Sequence, residues 1–264
     1  MMTHKPLINK ILNYYLDKKV ESYPYREELE FLDSIKDNDE FLPNTYPYEF
    51  SLDYLNPSDS VIIGEGKYHY FEFLGKRIYL PANWDANTLK YSARFIISEQ
   101  DDRSPHHYDL IESKNSSVLD IGSSEGIFSI INYEDTNDYH LFDSEYWTYS
   151  TALSLNHSNV RFHNRWIDKD YTVDSINFNK PVSDIKIDVE GGEMVSLYGA
   201  INTIKKYKPK IQVATYHNLD DFRNIYYFLK SVGYRNIRAS EGYLIFHQDY
   251  NLPPYFRNVL LKAY

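Results

Sequence analysis

From Ser117 onward, short apolar runs alternate with segments whose apolar residues recur at helical spacing, the signature of β–α units feeding a mostly parallel sheet. The runs predict strands at Val118–Ile121, Tyr139–Phe142, Val160–His163, Asp184–Asp188 and Lys210–Thr215. Helices fit between them. Two of these, Glu145–Leu155 and Leu219–Val232, are long enough to cover sheet faces, and Gly233 stands where a helix C-terminus wants a residue of positive φ. The last strands are expected at Tyr234–Arg238 and Tyr243–His247. Residues 1–90 read differently. Leu7, Ile8, Ile11, Leu12, Tyr15 and Leu16 recur at helical spacing, and Tyr25–Ile35 forms a second amphipathic pattern. Pro43, Pro47 and Pro57 then punctuate an irregular stretch, followed by a hairpin of Tyr68–Phe73 and Arg77–Leu80 turning at Leu74-Gly75-Lys76. The expected architecture is an α/β domain with a mostly parallel, doubly wound (Rossmann-like) sheet over residues 91–264, preceded by a small α+β extension over residues 1–90.

Composition narrows the functions open to such a fold. The 264 residues carry 28 Lys and Arg against 38 Asp and Glu, a net charge of −10 that opposes non-specific binding to a phosphate backbone. No nucleic-acid partner is expected. The absence of cysteine removes disulfides, thiolate metal sites and cysteine nucleophiles together, and it fits a reducing cytoplasm, the expected location. No apolar run approaches the roughly 18 residues of a membrane span. The apolar N-terminal stretch is broken by Asn13, Asp17, Lys18 and Lys19, so neither signal peptide nor anchor is expected. Tyrosine is abundant, with 27 residues beside 14 Phe and 3 Trp. Such rings join an apolar face to a polar tip: ordinary fillers of core and surface by default, sugar-stacking platforms where a ligand meets them.

Candidate chemistry concentrates at the strand ends. Val118 to Phe128 reads as a hydrophobic strand carrying Asp120, a glycine turn and a helix start, with Gly122 and Gly126 permitting close backbone approach. The spacing is G-x-x-x-G. The dinucleotide fingerprint requires G-x-G-x-x-G and the phosphate loop G-x-x-x-x-G-K, which disfavours nicotinamide cofactors and nucleoside triphosphates. Asp143 ends the second strand about twenty residues after the glycines, where ribose hydroxyls are gripped in a doubly wound sheet. It also suits a helix N-cap. Asp188 and His217 fall at the ends of the fourth and fifth strands and so point at one crevice. His217, with a reference pKa near 6.5, is the preferred general base; Asp188 orients the acceptor or the donor, or caps the helix that follows. Glu190 and Glu193 stand near a helix start, where the dipole alone rewards them. Asp188, Glu190 and Glu193 offer oxygen ligands of the type Mg²⁺ accepts, yet H-E-x-x-H and similar motifs are missing and no metal is expected.

The segment from Asp184 to Glu193, Asp-Ile-Lys-Ile-Asp-Val-Glu-Gly-Gly-Glu, resembles the signature of the FkbM family of S-adenosylmethionine-dependent methyltransferases. Four further segments follow in that family's order: Glu99-Gln100-Asp101 with Ser104 to Tyr108, the glycine loop, Thr172 to Ile176, and Tyr216-His217-Asn218 with Gly233-Tyr234. The resemblance runs from Tyr91 to Arg238. It implies a class I methyltransferase fold, S-adenosylmethionine as cofactor, and methyl transfer mostly to hydroxyl oxygens. It also implies that Asp120, Gly122, Ser123, Ser124 and Gly126 hold the methionine end, Asp143 the ribose, and Trp166 or Asp168 the adenine. His107, Tyr108 and Glu190 are the substrate-side candidates. Family loops commonly carry Ala and Asn where this chain has Ser123 and Ser124, and Glu-Pro where it has Asp143-Ser144; hydroxyls replace some of those hydrogen bonds.

The expected activity is O-methylation of a hydroxyl, with a sugar or glycoconjugate as the favoured acceptor. In-line transfer from a sulfonium demands alignment, worth about 7–11 kcal/mol, more than the roughly 10²–10⁴-fold a positioned base supplies. Two other readings stand beside it. One is a methyltransferase with a nitrogen or carboxylate acceptor; the other is a catalytically silent module that keeps the nucleoside pocket and binds a partner through its extension.

Overall fold

The computed structural model describes residues 5–17, 23–37, 48–54, 61–63, 68–144, 147–240, 242–244 and 252–264. Pro43, Pro47 and Pro57, the start of the helix expected from Glu145, and Ile245–His247 lie outside them. The strands are β1 (Val61–Ile63), β2 (His69–Phe73), β3 (Lys76–Leu80), β4 (Ser117–Ile121), β5 (Asp138–Phe142), β6 (Val160–His163), β7 (Val182–Ile187), β8 (Lys210–Ala214), β9 (Ile237–Ser240), β10 (Tyr243–Leu244), β11 (Phe256–Arg257) and β12 (Leu260–Ala263). Seven of them form one sheet in the order β6-β5-β4-β7-β8-β12-β9. The pairs β4–β5, β4–β7, β5–β6 and β7–β8 are parallel, whereas β12 runs antiparallel to both neighbours. The expected doubly wound, mostly parallel α/β sheet is therefore present.

Chain contacts gather the residues into two units interleaved along the sequence: 62–84, 108–241 and 258–264 in one, and 1–61, 85–107 and 242–257 in the other. The sheet unit is built on continuous apolar strands. All five residues of β4 and all five of β5 are buried, as central parallel strands with both faces covered require. Leu119, Ile121, Ile185, Ile187, Ile211 and Val213 meet Leu197, Ile204, Ile225 and Leu229 from the flanking helices in one core. The other unit packs the helices Lys5–Asp17 and Arg26–Ile35 around Tyr15, whose hydroxyl accepts from the Tyr255 and Phe256 N–H groups at 3.1 and 2.9 Å. Two tyrosine rings, Tyr14 and Tyr255, meet there edge to face at 5.3 Å.

Two strand expectations are corrected. The segment expected as a strand from Tyr234 begins pairing only at Ile237, because the Tyr234 ring is buried and its hydroxyl donates to the Pro209 carbonyl at 2.5 Å. Tyr243–Leu244 does not join the large sheet; it pairs with Phe256–Arg257 in a two-stranded ribbon. The antiparallel interior strand is instead β12, where Leu260, Leu261 and Ala263 are buried and Lys262 reaches Asp109 at 2.6 Å.

A histidine pair joins the outer parallel strands. His140 Nδ1 lies 3.0 Å from His163 Nε2, and the His163 ring stacks on Phe142 at 4.3 Å. Burial depresses both imidazoles to about 4, helped at His140 by His163 and Arg161 and at His163 by Arg161. An unfolded histidine titrates near 6.5, so between these values the unfolded chain takes up protons that the native pair refuses. Stability from this pair is complete above pH ~6.5 and is lost as pH falls toward ~4, each imidazole contributing a slope of at most about 1.4 kcal/mol per pH. Urea midpoints measured from pH 7.5 down to pH 5 should drop in the wild type and drop less in His163→Gln; parallel curves would show that the pair does not couple to folding.

Candidate functional site

A cleft opens beyond the carboxyl ends of β4, β5, β6 and β7, where the order of chain segments across the sheet reverses between β4 and β7. This is the crevice in which open α/β sheets bind ligands. It encloses about 590 Å³ of space open to solvent. Gly122 and Ser124 line it from the loop after β4, Asp143 and Ser144 from the end of β5, Arg165, Trp166 and Ile167 from beyond β6, and Asp188, Val189 and Glu190 from beyond β7.

The glycine loop is folded tightly onto β5. The Gly122 and Ser123 N–H groups donate to the Phe142 carbonyl at 2.8 and 3.1 Å, and the Ser124 N–H donates to the Asp143 carboxylate at 2.8 Å. Gly122 sits at φ +78°, and a Cβ there would stand 1.7 Å from the Asp188 carbonyl oxygen. Only glycine passes. Beneath the loop, Lys186 of β7 donates to the Gly122 carbonyl and lies 3.3 Å from Asp120, whose other oxygen accepts the Ser129 hydroxyl at 2.7 Å. Burial alone would lower the Lys186 ammonium; the Asp120 and Asp188 carboxylates reverse this and hold it above the ordinary lysine range. The same ammonium stands 5.6 Å from the centre of the Tyr108 ring.

Across the cleft, Asp188 accepts the Tyr108 hydroxyl at 3.0 Å and the Tyr216 hydroxyl at 3.4 Å. His217 lies behind it with a fully buried side chain, Nε2 at 3.6 Å from Asp188 and 3.5 Å from Glu190, and Nδ1 at 2.8 Å from Glu193. Burial alone would lower this imidazole; the Glu193 bond and the charges of Asp188, Glu193 and Glu190 raise it above its ordinary value. One Glu193 oxygen also accepts the Val189 and Gly191 N–H groups at 3.0 and 3.3 Å, bracing a corner where Glu190 and Gly191 have φ of +53° and +100°.

Of the residues singled out in the sequence, Gly122, Ser124, Asp143, Trp166, Asp188 and Glu190 come together at the cleft. Asp120 and Ser123 are buried within or under the loop, and Gly126 begins the short helix Ile127–Ile131. Asp168 closes its own turn, accepting the Asp170 and Tyr171 N–H groups at 2.7 and 2.9 Å. His107 belongs to the other unit, 3.6 Å from Asp102. Asp188 caps no helix; Gly192 holds that position before Glu193–Gly199. The sequence reading missed Lys186. Its signal was present: a lysine between Ile185 and Ile187 in a run expected to be a central strand has no solvent to reach, and so must have a partner.

A family model described as the methyltransferase FkbM domain matches residues 78–236. No curated protein gives a significant match. Among solved structures, a methyltransferase FkbM from Methylobacillus flagellatus KT is similar at 16% identity and a TM-score of 0.46, over 83% of this chain and 61% of that one. The chain thus spans 61% of the length of that relative. A tRNA (uracil-54, C5)-methyltransferase from Pyrococcus abyssi, in complex with S-adenosyl-L-homocysteine, is similar at 17% identity and a TM-score of 0.44, over 75% of this chain and 44% of that one. A precorrin-6y C5,15-methyltransferase from Geobacter metallireducens GS-15 is similar at 14% identity and a TM-score of 0.42, over 59% of this chain and 84% of that one.

Proposed function

Because the chain belongs to the FkbM family of S-adenosylmethionine-dependent methyltransferases, we propose that its cleft transfers a methyl group from that donor to a hydroxyl oxygen of a sugar or glycoconjugate. The observation that carries this reading is the placing of two carboxylates, Asp143 and Asp188, in one cleft on opposite sides of β4. The donor set suits the cofactor: a carboxylate beside a backbone loop for the ribose and methionine end, a half-exposed indole and Ile167 for the adenine, and acidic groups facing a cation. When bound, S-adenosylmethionine supplies the methyl group as an electrophilic sulfonium.

The residues of the chain divide the remaining work. Asp143 grips the ribose hydroxyls while tying down the Ser124 N–H. Lys186, paired with Asp120, acts from below by fixing the Gly122 carbonyl, so both are positioning residues. Asp188 faces the acceptor, orients its hydroxyl and receives its proton. His217, buried behind that carboxylate, is a positioning residue in this scheme. The hydroxyls of Tyr108 and Tyr216 fix the Asp188 rotamer, and Trp166, which lines the cleft beside Arg165 and Asp143, supplies the mixed aromatic and polar face that sugars meet well.

The cofactor assignment is tested by thermal shift. S-adenosylhomocysteine should raise the melting temperature and NAD should not, while Asp143→Ala should abolish the rise and leave the unliganded melting temperature near that of the wild type. A shift that survives Asp143→Ala unchanged would remove the ribose role. For the acceptor, a radiolabelled methyl donor incubated with fractionated extract should label carbohydrate, and label confined to protein or nucleic acid would overturn the sugar reading.

A further inference from the structure

We propose that Thr151 is a positioning residue for the methyl donor: from the helix after β5, its hydroxyl holds Ser124 of the glycine loop in a left-handed conformation. Ser124 lines the cleft at φ +47°, a region that disfavours any L side chain and that serine, unlike asparagine, does little to ease. It needs an external hold. Two bonds supply one, on either side of the residue: the Ser124 N–H donates to the Asp143 carboxylate at 2.8 Å, and the Ser124 carbonyl accepts the Thr151 hydroxyl at 2.7 Å. Thr151 itself is fully buried and does not line the cleft, so it reaches the donor only through Ser124.

The surrounding fold keeps Thr151 in place, and all of the residues concerned lie in the sheet unit. The helix that carries it, Trp147–Ser154, ends on Ser154, whose hydroxyl oxygen accepts the Tyr79 N–H of β3 at 3.1 Å. Lys76, the first residue of the same strand, donates to the Ile130 carbonyl at 2.5 Å in the helix that follows the loop. The hairpin thus braces both helices against which the loop is folded. The Thr151 methyl has a different neighbour, Gly126, where a Cβ would stand 2.4 Å from it. Hydroxyl and methyl therefore have separable tasks: one fixes the Ser124 carbonyl, the other packs on Gly126. The inference rests on the reading that the loop from Gly122 to Gly126 holds the donor. Without the hydroxyl, Ser124 relaxes toward negative φ, the binding-competent fraction falls, and the apparent affinity falls by the same factor.

The test is calorimetric titration of S-adenosylhomocysteine into the full-length protein and its variants, well below their melting temperatures. Thr151→Val keeps the shape and removes the hydroxyl, and affinity should fall about 10-fold. Thr151→Ser keeps the hydroxyl and removes the methyl, so the melting temperature should fall while affinity stays within about 2-fold of the wild type. Ser124→Asn, which puts a residue more at ease in the left-handed region, should restore most of the affinity lost in Thr151→Val and change the wild type less. A merely structural role would tie affinity to stability, and Thr151→Ser would then bind no better than Thr151→Val. That result, wild-type affinity in Thr151→Val, or no rescue by Ser124→Asn would each overturn the inference and leave the methyltransferase reading standing. Failure of the wild type to bind would instead remove the reading of the loop, and the inference with it.

Discussion

Gly122→Ala should abolish binding of S-adenosylhomocysteine and destabilise the sheet unit by about 3 kcal/mol or more. The added methyl would stand 1.7 Å from the Asp188 carbonyl oxygen, 2.6 Å from its carbon and 2.9 Å from Val189 Cγ1. The obstruction is backbone, and it is held: the Asp188 N–H donates to the Ile121 carbonyl at 2.9 Å, so β7 cannot retreat without breaking its pairing with β4. Nor can the loop move the other way, since its N–H groups are bonded to Phe142 and Asp143. The φ of +78° adds a backbone penalty for any L side chain. Gly126 offers a contrast, because a Cβ there meets the Thr151 methyl at 2.4 Å, the end of a side chain. Calorimetric titration and urea unfolding of the two variants measure this directly, and wild-type affinity in Gly122→Ala would show that the loop geometry is not what binds the donor.

Asp188→Asn should lower turnover by about 10²–10⁴-fold while leaving donor affinity within a few-fold of wild type. The change preserves shape but removes the charge to which the proposed scheme gives the tasks of orienting the acceptor and receiving its proton. The glycine loop keeps its own bonds to Phe142 and Asp143, which is why the donor side should be spared. Single-turnover rates and S-adenosylhomocysteine titrations separate the two effects. Full turnover would exclude Asp188 from the chemistry, and a collapse of donor binding would make it part of the cofactor site instead.

Most of the sheet was legible because β4, β5, β7 and β8 are short, largely apolar runs bounded by turn residues, and burial on both faces leaves that pattern little freedom, while β6, at the sheet edge, followed from its place in the alternation. The far edge was not. Tyr243–His247 and Leu260–Ala263 are both apolar enough to be strands, and what separates them is a long-range choice of partner: β12 fits between β8 and β9, and β10 pairs with β11. The cleft followed the same rule. Residues that reach it by standing at strand ends, Asp143 and Asp188, were found from their spacing. His217 was also at a strand end, but its burial behind Asp188 depends on the corner built by Glu190, Gly191 and Glu193. Side-chain depth of that kind is a tertiary property with no local signature.

The position of β12 bears on how the chain assembles. This strand is interior, yet it follows β9 in sequence, and among the described residues β9 enters the sheet only by pairing with it. During ribosomal synthesis the open flank of β8 therefore stays uncapped until Leu260–Ala263 have emerged. An unsheltered flank of that type invites association with other nascent chains, which makes early termination before Leu260 a route to aggregation rather than to a smaller soluble protein.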